Sequence, residues 1–247
     1  MPLNYENLRE VVSLSRTYQD LRHLQDDKTV LENPHKGWYY HFVDNSLKRP
    51  PYRDRIKRGE RFITQGMHHA YLRFDWGDIE AQEEGILDWS EIDDIIDERS
   101  ALGYQISLRI CTYESGTIAA TPKWVFDKGA AYTEVVMTTA DGRQLISTEP
   151  EYGDPIFLEK LEAFLAKCSK KFDRDPRIEF IDVGTFGTWG EGHTSSGSNK
   201  SFPLEVLKKH IHLHLKYFPK QLFSFPNNEK LKHLLPFQVP YKKCGRL

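Results

Sequence analysis

Cysteine is scarce. Cys111, Cys168 and Cys244 are odd in number and far apart, so neither a disulfide framework nor a Cys-based metal site is legible. Cys111 and Cys168 fall at apolar positions and read as inert buried thiols. Long hydrophobic runs are missing too. No stretch is long and apolar enough to span a membrane, and the N-terminal MPLNYENLREVV lacks the apolar core of a secretory signal. The expectation is a soluble chain with no membrane partner and no signal peptide, its compartment unknown. Charge of one sign is also absent. Thirty-four Lys and Arg against 36 Asp and Glu give −2, with both signs spread throughout. No basic stripe invites nucleic acid, and no acidic tail suggests a disordered partner segment. No short-period repeat, phosphate-binding glycine loop or evident Schiff-base lysine occurs, which counts against an aldolase-type enzyme. His210, His212 and His214 alternate at spacing two. That spacing scatters them around a helix, so they read as surface and boundary residues, and neither metal nor cofactor is expected.

Aromatic residues are what the chain has. They make up 13%, with five tryptophans and twelve tyrosines, enough for stacking surfaces. The stretch 178–193, IEFIDVGTFGTWGEGH, organises the rest. Ile178, Phe180, Ile181 and Val183 form a short apolar run suited to a buried parallel strand. Gly184, Phe186, Gly187, Trp189 and Gly190 follow, then Glu191, Gly192 and His193. A carboxylic acid desolvated beside tryptophan has a raised pKa, which suits a general acid. Tryptophan beside glutamate also suits a sugar, with its apolar faces and polar edges. A lone Trp-Gly-Glu reads as a core ring and a solvated carboxylate. At the carboxyl end of a strand in an alternating β/α chain, chemistry is the better reading.

Along the chain, residues 1–30 read as an N-terminal extension, loosely packed or an edge strand. A first strand is expected at 37–43, a surface loop at 44–62, and a second strand at 67–76. Arg73 and Asp75 close that second strand, either on the catalytic face or as a surface pair. A helix near 90–102 has Asp88 or Ser90 as its cap, and a strand at 105–113 ends at Tyr113, with Glu114 just beyond. Residues 115–153 form a long connection with a short helical turn and a hairpin about Ala140-Asp141-Gly142. Asp154-Pro155 opens the strongest helix, 155–172, and 178–187 is the fourth strand. A helix at 203–217 and a possible fifth strand at 222–226 follow. The order implies an α/β fold, a (β/α)8 TIM-barrel-like sheet of about the first four to five βα units. It covers 31–226, with an atypical tail at 227–247.

Several motifs occur in the order of a known family: NPHKGW at 33–38, YLRFDWGDIEAQEEGILDWSEID at 71–93, EPEYGDPIFLEKLEAFL at 149–165 and DVGTFGTWGEGH at 182–193. Over roughly residues 31–218 the chain resembles β-galactosidase-like glycoside hydrolases of the large retaining (β/α)8 clan, family forty-two in particular. The resemblance implies Glu191 as general acid/base after the fourth strand. It implies Arg73 as the arginine that orients the nucleophile, and Tyr113, Glu114, Trp189 and His193 around the sugar, with Arg109 a further substrate-binding candidate. The chain departs from the clan where asparagine precedes the acid/base, since Gly190 stands there. The clan's nucleophile follows the seventh strand, and the strand pattern reaches only about the fifth.

The expectation is therefore a truncated copy, a weak catalyst or none alone, with open sheet edges through which it could oligomerise. Its partner is an oligosaccharide or glycoside substrate, and Glu114 and Glu151 are the local candidates for a second carboxylate. A non-catalytic carbohydrate-binding module is the competing reading.

Overall fold

The computed structural model describes residues 39–43, 47, 68–116, 120–138, 141–225 and 241–243. The N-terminal extension 1–30, the motif at 33–38, Cys244, most of the 44–62 loop and residues 226–240 of the fifth-strand end and tail lie outside them. Strands β1 (Tyr39–Val43), β2 (His69–Asp75), β3 (Gln105–Cys111), β6 (Ile178–Asp182), β7 (Leu222–Phe225) and β8 (Tyr241–Lys243) form one sheet, in that order. Every pairing in it is parallel. Between β3 and β6 the chain makes an antiparallel hairpin of β4 (Tyr132–Thr138) and β5 (Gln144–Pro150). Among the described residues the helices are α1 (Trp76–Ile79), α2 (Ser90–Ala101), α3 (Lys123–Asp127), α4 (Pro155–Phe172) and α5 (Leu204–Tyr217).

The spatial order never reverses. Parallel crossovers are right-handed, so a sheet that grows in one direction keeps its helices on one side. That is barrel-type winding; a doubly wound sheet would turn back and cover both faces. The fold is thus α/β with the topology of a partial (β/α)8 barrel. A sixth strand, β8, comes from the tail, where no regular alternation is legible in the sequence.

Period-two alternation sorts each strand into two faces. Leu72, Phe74, Leu108, Ile110 and Ile181 join the helices in the main core, with Ile92, Ile96, Phe157, Leu161 and Leu165. Trp76 fixes the junction of α1 with α4: its ring stacks on Phe164 at 5.1 Å and its indole N–H donates to Glu80 at 2.9 Å. Asp154 caps α4 as its sequence requires, accepting from the Phe157 N–H at 2.9 Å. At α2, Asp88 accepts from both the N–H and the hydroxyl of Ser90, although the residue in the cap position is Trp89. The opposite, concave face carries Tyr71, Arg73, Asp75, Ser107, Arg109, Phe180 and Asp182, all buried.

Two expectations need correction. The fourth strand ends at Asp182, not 187, because the chain leaves the sheet there and bends through Thr185 to Gly187, where φ becomes positive. His210 and His214 are not surface residues; both are buried. They stand four apart, so on a helix they share the face of Leu207 and Ile211, and only His212 points outward.

Candidate functional site

Strand register brings the first pair of site residues together. Arg73 on β2 lies directly opposite Arg109 on β3, and Arg109 opposite Asp182 on β6. The parallel register points all three into the concave face. Arg73 is buried with its Nε 3.4 Å from the carboxylate of Glu114, itself buried just beyond β3. The reading of Arg73 and Asp75 as a surface pair is therefore excluded.

Arg109 is the hub. Its Nε donates to Asp182 at 2.8 Å and its Nη2 to the same oxygen. Nη1 donates to the Trp189 carbonyl at 3.0 Å and lies 4.0 Å from the Glu191 carboxylate. Burial disfavours the guanidinium charge, but Asp182, Tyr71 and Cys111 together outweigh it and hold the Arg109 pKa well above its ordinary value. The Tyr71 hydroxyl also donates to Asp182, at 2.6 Å, and burial pushes the Tyr71 pKa up. Burial likewise raises the Cys111 pKa, in keeping with an inert thiol.

The loop after β6 presents Trp189 and Glu191. The Trp189 N–H donates to the Tyr113 carbonyl at 3.0 Å, and its indole N–H to the Ser115 hydroxyl at 3.0 Å. Trp189 has φ +57° and Gly190 φ +69°. A Cβ on Gly190 would stand 2.3 Å from the Gly184 carbonyl oxygen. That contact explains the departure at this position, since no asparagine fits here without moving the backbone. Glu191 is 28% exposed, not the desolvated carboxylate expected beside Trp189. Trp189 instead meets His193 edge to face, with centroids 6.1 Å apart at 90°. His193 Nε2 is 3.3 Å from the Glu191 carboxylate, while its Nδ1 accepts from the Ser195 hydroxyl at 2.9 Å.

Tyr113 departs from its expected place. It is fully buried, and its hydroxyl meets Ser147 of β5 at 2.9 Å, so the ring supports the hairpin instead of lining open space. Glu151 is taken up by Lys200 and Thr133.

Behind the loop lies a network that sequence reasoning missed. The Thr185 carbonyl accepts from the Thr112 hydroxyl at 3.0 Å. The Thr185 hydroxyl meets His210 Nδ1 at 2.9 Å, and His210 Nε2 meets the Tyr152 carbonyl at 3.0 Å. A carbonyl only accepts, so Nε2 carries the proton and Nδ1 accepts from Thr185. His214 Nδ1 likewise donates to the His210 carbonyl at 2.8 Å. Burial lowers both imidazoles to a pKa of about 4, against smaller opposing effects of these carbonyls and, for His214, of Asp182. Tyr152 in turn donates to the buried Glu149 at 3.1 Å. The signals were a histidine pair at i, i+4 among Leu207 and Ile211, and an aspartate closing a strand that is apolar but for Glu179.

No known family model matches the chain, and no curated protein matches it. Solved structures do. A β-amylase catalytic domain from Paenibacillus polymyxa is 16% identical over 58% of this chain and 36% of its own, with a TM-score of 0.44. A β-galactosidase from the psychrophilic Marinomonas ef1 is 11% identical over 75% of this chain and 36% of its own, with a TM-score of 0.48. A structure described as a glycoside hydrolase is 12% identical over 80% of this chain and 57% of its own, at 0.49. The chain therefore spans between about a third and somewhat over half of their lengths.

Proposed function

We propose that this chain carries a glycoside hydrolase site for β-linked sugars, with Glu191 as the proton donor to the glycosidic oxygen. The observation that carries the reading is one convergence. Arg73 with Glu114, Arg109 with Asp182, and Trp189 with Glu191 gather at the carboxyl ends of three adjacent parallel strands. In barrel-type sheets that end carries the chemistry. Trp189 offers an apolar face for a pyranose ring. Glu191 keeps one side open to a ligand, while Arg109 and His193 flank the other and fix its direction.

The finer reading is a retaining β-galactosidase. Retention needs a second carboxylate about 5 Å from the first. Among the described carboxylates, Glu114 suits that role better than Glu151, which Lys200 and Thr133 already occupy. Arg73 against Glu114 matches an arginine that orients a nucleophile.

The test is hydrolysis of aryl β-galactosides, and of the matching glucosides, by purified protein beside a Glu191→Gln variant. Turnover that disappears in the variant supports the proposal. Turnover that survives unchanged removes Glu191 from the role. Sugar binding without any turnover reduces the site to a carbohydrate-binding one.

A further inference from the structure

Behind the loop that presents Glu191 lies a cavity of about 400 Å³, between that loop and the start of α5. This falls within the roughly 300–1,000 Å³ typical of small-ligand sites. Its two walls differ in chemistry. One is apolar, with Phe186, Phe202 and Leu207; the other is polar, with His193, Ser195 and Asn199. Phe186 and Phe202 meet edge to face at 5.7 Å, and Tyr152 packs against Phe186 at 4.7 Å and against Phe202 at 5.3 Å.

The polar rim is tied down. The Thr194 hydroxyl donates to the Lys200 carbonyl at 2.6 Å, and the Thr194 carbonyl accepts from the N–H groups of Gly197 and Asn199, each at 3.0 Å. The Ser198 N–H donates to buried Glu149 at 2.6 Å. Asn199 is held at φ +57°. Asparagine enters the left-handed region more readily than other non-glycine residues, and here that conformation closes the turn onto the Thr194 carbonyl.

We infer that this cavity is a second saccharide site. A pyranose ring would lay its C–H face on Phe202, the more exposed of the two rings, and turn its hydroxyls to Ser195 and Asn199, both exposed at the rim. A wholly apolar ligand would leave the polar wall without partners. An anion would find Lys200, the cation on the rim, already paired with Glu151. His193 belongs to both sites, since its Nε2 faces Glu191 and its Nδ1 side holds Ser195 on the cavity wall. Occupancy of the cavity would thus fix His193 and, through it, the Glu191 carboxylate. The inference rests on the carbohydrate reading of the Glu191 site, and the experiment separates the two.

The experiment is calorimetric titration of the full chain with the methyl β-D-glycosides of glucose, galactose, mannose and xylose. Four proteins are compared: wild type, Ser201→Trp, Phe202→Ala and Trp189→Gly. Ser201 is exposed at the cavity mouth, so the new indole fills space without disturbing the core. Glycine suits the positive φ of residue 189. The inference expects two sugars per chain in wild type and one in Ser201→Trp. Trp189→Gly should also bind one, in the cavity. Phe202→Ala should weaken one of the two by about tenfold or more. A single sugar per chain that is lost in Trp189→Gly and kept in Ser201→Trp overturns the second site and leaves the first reading standing. No binding of any probe by the folded wild-type protein overturns both.

Discussion

The loop 184–193 has a front and a back of opposite character. On the front, Trp189, Glu191 and His193 are partly exposed. On the back, Thr185, His210, His214 and Tyr152 are buried, neutral and bonded in series. The carboxylate proposed to meet a ligand is kept within reach of solvent. Apart from the buried Glu149 carboxylate that accepts from Tyr152, the scaffold behind it uses neutral donors and acceptors, which cost far less to bury than charges. Arg109 stands between the two, and its contacts with Asp182 and the Trp189 carbonyl join the sheet to the front.

The largest effect should come from breaking the turn that separates front from back. Gly190→Asn introduces the residue that the resembled clan carries, but its Cβ would meet the Gly184 carbonyl oxygen at 2.3 Å. We expect a loss of about 4 kcal/mol or more, or failure to fold, measured by urea unfolding.

Acid should separate the two sides next. His210 and His214 stay neutral in the folded protein down to a pKa of about 4. The unfolded chain takes up protons at the ordinary value near 6.5, so stability is fully present above roughly pH 6.5 and falls as pH drops towards 4. The loss should approach about 3 kcal/mol per histidine. His210→Leu should cost about 2–3 kcal/mol at pH 8, because the Thr185 hydroxyl and Tyr152 carbonyl lose their partner. It should also remove about half of the acid-dependent loss. Urea unfolding across pH reads both numbers; an undiminished acid loss in the variant would assign the titration elsewhere.

The smallest stability effect belongs to the front. Glu191→Gln should leave unfolding within about 0.5 kcal/mol of wild type, since the carboxylate is partly exposed and its Arg109 contact is long. A loss of several kcal/mol would make Glu191 part of the scaffold and erase the contrast.

Much of the fold was legible because its signals are local. Asp154 before Pro155, and the apolar face of α4 from Phe157 to Phe172, set that helix from sequence alone. The parallel strands follow from apolar alternation broken by turn residues. Arg73 and Arg109 were legible as polar residues of neighbouring strands, and register sets them side by side, with Glu114 against Arg73. Glu191 reaches Arg109 from the loop well beyond Asp182, not from the strand end that sequence suggested. Tyr113 and the back network were not legible. The direction of Tyr113 depends on a hairpin that begins nearly twenty residues later, and its partner Ser147 lies 34 residues away. His210 reaches Thr185 and Tyr152 across 25 and 58 residues. Composition and spacing do not encode such contacts; the winding of the sheet creates them. The exposure of Glu191 escaped for a related reason. Sequence puts it beside Trp189, but the positive φ of Trp189 and Gly190 turns the indole toward Ser115 and His193.

The most direct test of Glu191 as proton donor compares leaving groups. Phenyl β-D-galactoside needs a proton on its departing oxygen, whereas 2,4-dinitrophenyl β-D-galactoside does not. For Glu191→Gln we expect a loss on the order of 10²–10⁴-fold in kcat/KM with the phenyl substrate, and less than about tenfold with the dinitrophenyl one. Equal losses with both substrates would contradict the account, because Glu191 would then be acting on binding or on the nucleophile and not on the leaving oxygen.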